Sequence, residues 1–257
     1  DQLKRFGKTL AETHRLSKEP AKEYLLKRLE SNESILHNVR QLLTDSVKAN
    51  QLITPAGEWL LDNFYLLEEH IRNAKIHFPK GYSEDLPQLA GNSLEGSARI
   101  YDITLQKIAH SDGRIDIERL GDFIEAYQSV TYLKLGELWA IPIMLRLGLI
   151  KNIRRVSARV AIDKVDRNLA NHWAKKMFEI IEVESTDLIL VIAEMARSNP
   201  PMSAAFVSEL IRQLRGKGPD LAMVLNWIEQ QLSKSGLTSG ELVNAENQTQ
   251  ATDQVSI

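Results

Sequence analysis

Glu58, Asp62 and Glu69 fall at spacings of four and seven residues, so a helix through them would carry all three carboxylates on one side. Paired carboxyls do acid–base chemistry when they flank a substrate about 5–9 Å apart, usually from different elements. No opposing carboxyl is identifiable here, so an all-α glycosidase ranks last among the activities considered. Trp59, Asp62 and Asn63 suggest a second chemistry, an aromatic face for a sugar ring beside groups that bond its hydroxyls. With Glu137 and Trp139 they make up a candidate recognition or interdomain surface.

Metal and nucleophile chemistry find little support. His70 and His77 are seven apart, His110 and His172 are isolated, and no HExxH pair occurs. Placing Gly113 at the sixth position of a calcium loop puts Ile108, His110 and Arg119 where oxygen ligands are required, so Asp112–Asp116 reads as a turn between helices. No GxSxG, SxxK or GxxxxGK[ST] motif is present. No catalytic, cofactor-binding or metal-binding residue is assigned.

Arg146–Lys176 holds nine basic residues against Asp163 and Asp166, in a chain whose formal net charge is −2. Arg146, Lys151, Arg154, Arg155 and Arg159 form a candidate basic docking face, for an acidic neighbouring domain or anionic lipid headgroups. Pairing within the protein is the plainer use of the same charges. No aromatic residues interleave with them as a base-stacking platform would need, so nucleic acid is not an expected partner.

The 257 residues, 43% apolar and 26% charged, suit one large domain or two modest ones. Cys is absent, which removes disulfides and thiolate chemistry and agrees with a reducing compartment. The chain starts at Asp1 and shows no signal peptide, so it reads as a piece of something longer. Its most apolar run, Leu135–Ile150, is sixteen residues with Glu137 and Arg146 inside. A membrane span needs about 20, so the run reads as a buried helix.

Helical periodicity dominates. The expected fold is all-α, a multi-helix bundle or stacked helical array, with a long helix from Leu135 towards Phe178 kinked near Pro142. Earlier helices are expected over 3–16, 21–30, 34–50, from Pro55 to about Lys75, 95–109 and 117–129. Thr54 should cap the helix that Pro55 opens, and Asp116 the one after it. Pro79, Gly81, Pro87 and Gly91 punctuate a connection with at most a short helix. Later helices should run from Ser185 or Thr186 to Ala196, over Met202–Arg215 and over Asp220–Leu232. Residues 1–234 are thus read as a helical domain, whole or in subregions 1–130 and 135–234. Residues 235–257, where the apolar pattern fades, are read as a flexible tail or truncated linker.

Several segments carry a resemblance: TPAGEWLLDNFYLLEEHIR (Thr54–Arg72), LPQLAG (Leu86–Gly91), IAHSDGRID (Ile108–Asp116), FIEAYQSV (Phe123–Val130) and GELWAIPIMLRLGLIKNIRR (Gly136–Arg155), with the closing Asp253–Ile257. In this order they resemble the N-terminal region of bacterial cyclic β-1,2-glucan synthases, most clearly over residues 35–180. The resemblance implies a very large inner-membrane enzyme that polymerises glucose from UDP-glucose through a protein-linked intermediate and cyclises the chain. It implies UDP-glucose and a divalent metal for the transferase domain only, whose motifs lie farther along, so no catalytic residue is carried over. The implied partners are other domains of the same polypeptide, with β-1,2-glucan or an anionic membrane surface as further ones. The implied place is the cytoplasmic side of the inner membrane. One departure stands out: the family introduces the GELWA helix with a Thr able to form a capping box with Glu137, and this chain has Lys134.

Overall fold

The computed structural model describes residues 2–17, 24–78, 81–82, 84–90, 96–111 and 113–256. Pro79, Gly91, Asp112 and the start of the helix expected over 21–30 lie outside them. The described residues form α-helices and short 3-10 turns with no strand, as the periodicity predicts. The helices are α1 (Gln2–Thr13), α2 (Leu25–Lys48), α3 (Pro55–Asp62), α4 (Phe64–His77), α5 (Arg99–His110), α6 (Ile117–Gln128), α7 (Leu135–Val183), α8 (Leu188–Ser198), α9 (Ala204–Leu214), α10 (Ala222–Ser233) and α11 (Ser239–Ser256).

Two compact units divide them. The first comprises Asp1–Asp45, Glu58–Ala158 and Ser256–Ile257; the second comprises Ser46–Gly57 and Arg159–Val255. The division therefore falls within α7, and a short early segment belongs to the later unit.

Local chemistry explains most boundaries. Thr54 Oγ1 accepts the Gly57 N–H at 3.3 Å with Pro55 in the first turn, and Asp116 accepts the Arg119 N–H at 2.9 Å. The helix expected to run unbroken from Pro55 instead pauses at Asn63. There the side-chain amide and the backbone N–H both donate to the Trp59 carbonyl, at 2.9 and 3.0 Å. A side chain competing for a helical carbonyl is what ends α3 and lets α4 restart. Conversely, α2 joins two expected helices: Ser31, Asn32 and Glu33 continue the spiral, with Asn32 buried.

In the first unit, α1 lies against α6. The Phe6 ring stacks on Phe123 and His110, with centroids 5.8 and 5.2 Å away. Gly7 permits the approach, since a Cβ there would stand 2.9 Å from the Phe123 carbonyl oxygen. That oxygen is held in the backbone of α6, so it cannot yield cheaply. Gly7→Ala should therefore lower stability by about 1–2 kcal/mol, overpacking outweighing the better helix propensity of Ala. Chemical denaturation reads this directly, and a variant as stable as the parent would refute the close packing.

The second unit is organised on an apolar core of Trp173, Met177, Met195, Phe206, Leu210, Val224 and Ile228, contributed by α7, α8, α9 and α10. Ser203 opens α9 by accepting the Phe206 N–H at 3.2 Å while donating to Asp166 Oδ2 at 2.6 Å.

The chain after Lys234 departs from expectation. Instead of a flexible tail it forms α11, which starts with a full capping box: Thr238 Oγ1 accepts the Glu241 N–H at 3.3 Å, and Glu241 Oε2 accepts the Thr238 N–H at 2.9 Å. Leu242 packs against the apolar core of the unit, and the rest of the anchorage is ionic. Glu246 pairs with Arg167 at 2.5 Å and Asp253 pairs with Arg159, both carboxylates buried. The spacing of seven on α11 meets a spacing of eight on α7, two turns in each case. A helix held by polar groups shows no apolar stripe, which is why the pattern fades there.

Candidate functional site

Two places concentrate polar side chains. The first, in the first unit, is a buried network. Arg99 Nε and Nη2 donate to the two carboxylate oxygens of Glu137 at 2.9 and 2.6 Å, and Nη2 also donates to the Tyr132 carbonyl at 3.1 Å. Side chains of Arg99 and Glu137 are 3% and 0% exposed. Burial pulls the Arg99 guanidinium down, but the hydrogen bond and charge of Glu137 hold it above its ordinary value. Close by, His14 bonds the Tyr127 hydroxyl through Nδ1 at 2.8 Å and Asp102 Oδ2 through Nε2 at 2.9 Å. Burial pushes the Tyr127 phenol up to about 12, against the lowering effect of Arg99. A His bracketed by carboxylate and phenol has the parts of a proton relay, yet every member is buried and paired. The arrangement fixes α1, α5, α6 and the start of α7 to one another.

Glu137 also repairs the departure at Lys134. Its Oε2 accepts the Lys134 N–H at 2.8 Å, so the carboxylate half of the capping box survives without the Thr hydroxyl. Lys134→Thr should restore the other half and raise stability by about 0.5–1 kcal/mol. A thermal melt no higher than the parent's would show that the Lys backbone already caps α7 fully.

The second place, in the second unit, is a groove of about 860 Å³. Its wall comes from four separate segments: the loop 50–55, α7, α9 and α11. Lys164 Nζ donates to the Leu52 carbonyl at 2.7 Å and so fixes the loop. Glu209 accepts from Arg212 at 2.8 and 2.6 Å and from Gln213 at 3.0 Å, and Gln213 donates to Asn171 at 2.8 Å. Burial pushes the Glu209 carboxyl up, but the bonds from Arg212 and Gln213 prevail and hold it below its usual value. It is therefore an ionised acceptor at neutral pH.

Of the recognition and docking residues singled out from sequence, only Glu137 lies in one of these two places. Glu137 is fully buried in the network and belongs to no surface, because Arg99 claims both its oxygens. Trp139, two residues on, is 73% exposed, and Trp59 is 38% exposed. Asp62 is exposed, and the amide of half-buried Asn63 is spent on the Trp59 carbonyl. Of the basic series, Arg155 is exposed and bonds Asn152, Arg146, Lys151 and Arg154 are half-buried, and Arg159 holds Asp253. Burial and then the neighbouring Arg28 and Arg154 charges lower Lys151. The sequence reading missed Arg99, His14, Asp102 and Tyr127 as partners, and the whole groove. Each depends on residues far apart in the chain.

Among the described residues no three His, Asp or Glu side chains come together as metal ligands. Nor is any described helix long and apolar enough to cross a membrane.

The described elements are thus helical throughout, and the buried carboxylates Asp102, Glu137, Glu246 and Asp253 are taken up by imidazole and guanidinium partners. The larger protein the chain aligns with is a cyclic β-(1,2)-glucan synthase. The chain is 32% identical over 251 residues to NdvB of Rhizobium meliloti (strain 1021), which bears out the resemblance read from sequence. The match takes in 96% of this chain and 8% of that relative's length. No protein-family model matches the chain.

Proposed function

We propose that this chain is a noncatalytic helical domain of a membrane cyclic β-1,2-glucan synthase, acting in assembly, positioning or regulation of a glucosyltransferase that uses UDP-glucose. The observation that carries this reading is the alignment, nearly complete for this chain and covering 8% of a relative named a cyclic β-(1,2)-glucan synthase. The buried charges support it. Glu137, Glu246 and Asp253 each face a guanidinium, so their free energy goes into holding helices in place. The exposed Trp139 and Trp59 offer surface to other domains of the same polypeptide. The proposed setting is the cytoplasmic side of the inner membrane.

The test uses the isolated chain and the intact synthase. The isolated chain should neither hydrolyse UDP-glucose nor transfer glucose from it. An intact synthase with this segment replaced by an unrelated helical spacer should make less glucan, or accumulate to a lower level. Turnover of UDP-glucose by the isolated chain would overturn the noncatalytic reading; unchanged glucan output from the spacer version would overturn the positioning role.

A further inference from the structure

We propose that the groove of the second unit is an oligosaccharide site, taking an uncharged polyhydroxylated chain along the wall formed by α7, α9, α11 and the loop 50–55. Its volume, about 860 Å³, lies in the upper part of the range of ligand sites, roughly 300–1,000 Å³. Chemistry chooses the class of ligand. A sugar hydroxyl both donates and accepts, so it is best met by groups that present both functions side by side. Six amide side chains line the groove: Asn50, Gln51, Asn171, Gln213, Asn247 and Gln250.

The groove's charges are four cations, Lys164, Arg167, Arg212 and Arg215, against the carboxylates of Glu209 and Glu246. Glu209 is engaged by Arg212 and Glu246 by Arg167, so both carboxylates stand as fixed acceptors beside fixed guanidinium donors. A neutral hydroxyl can bridge each pair, accepting from the guanidinium and donating to the carboxylate, and Lys164 is already spent on the Leu52 carbonyl. The lining is also set in advance. Asn171 and Gln213 bond each other at 2.8 Å, Gln250 donates to Glu246 at 2.7 Å, and Lys164 holds the loop through Leu52. Asn171, Gln213, Gln250 and Lys164 therefore have little side-chain entropy left to lose on binding. Ser208 Oγ, in the same wall, is buried without a hydrogen-bond partner. Leu52, Ile53, Ile211 and Val243 supply apolar surface for the C–H faces of pyranose rings.

The site stands on this geometry; the choice of β-1,2-glucan as its natural occupant rests on the function proposed above. Calorimetric titration of the chain with purified linear β-1,2-glucan, with a malto-oligosaccharide of equal length and with inorganic tripolyphosphate separates the two. Saturable binding of a neutral glucan is expected, weakened at least tenfold by Asn247→Ala combined with Gln51→Ala. Both positions are exposed, and an unchanged melting temperature would confirm an intact fold. Binding of the malto-oligosaccharide but not of β-1,2-glucan would uphold the groove and count against the synthase reading. The proposal is overturned if no neutral glucan binds, if the double variant binds within twofold of the parent, or if tripolyphosphate displaces the glucan. Loss of binding in Trp59→Ala with the groove variants unaffected would place the sugar on the first unit, and overturn it equally.

Discussion

Glu137→Leu is expected to cost about 3–5 kcal/mol, enough to unfold the first unit partly at physiological temperature if its stability is typical. The cost does not come from losing an attractive contact in water. It comes from leaving the Arg99 guanidinium buried, 3% exposed, with the Tyr132 carbonyl and the Tyr127 phenol but no anion beside it. Removing the carboxylate also strips the Lys134 N–H of its acceptor at the start of α7. The double variant Arg99→Leu with Glu137→Leu should recover most of the loss, because two apolar side chains of similar bulk replace a fully desolvated pair. Denaturant melts of the two single variants and the double variant form the needed cycle. Additive losses would mean that Arg99 and Glu137 act independently, and the buried-pair account would fail.

Arg167→Leu should have an effect of similar size, again about 3–5 kcal/mol, through the seam that holds α11. Arg167 and Glu246 side chains are 15% and 6% exposed. Without the guanidinium, Glu246 keeps only the Gln250 amide as donor while the Asp163 carboxylate stands close by. Burial, and then the charge of Glu246, already hold Asp163 above the ordinary carboxyl value of 3.8, with Arg167 pulling the other way. A raised carboxyl binds its proton more tightly in the folded state. Asp163 thus adds stability below the unfolded value near 3.8, and that contribution is lost as pH rises through its folded value. Asp163→Asn should consequently stabilise the protein at pH 7 and flatten this part of the pH profile. Hydrogen exchange along residues 239–256 reads the seam itself: Arg167→Leu should deprotect α11 before the rest of the second unit. Equal protection in variant and parent would show that α11 is held by something other than its carboxylates.

Helix starts were legible wherever one side chain closes its own turn, as Thr54 and Asp116 do. The break at Asn63 was not, because the apolar stripe of Leu60, Phe64, Leu67 and Ile71 continues in phase through it and the break is made by a single amide. Helix α11 carried a readable Thr238–Glu241 capping signal, but its anchors are charges whose partners lie 79 and 94 residues away. Glu137 attracted attention from sequence while its partner Arg99, 38 residues earlier, did not. Periodicity reports which face is buried, and it is silent about which buried charges meet. The same limit hid the groove, whose wall is assembled from four stretches that no spacing rule connects.

Residues 46–57 belong to the second unit although the rest of that unit begins at Arg159. On the ribosome this short segment emerges long before its neighbours, and at about 5–20 residues per second it waits roughly 5–20 s for them. Throughout that interval the Leu52 carbonyl has no Lys164 to accept from. The second unit must therefore close late and across a long loop, while α1–α6 can settle beforehand. A fragment beginning at Arg159 would never acquire the segment at all, so dissecting this protein into independently expressed halves requires a permuted chain rather than a simple cut.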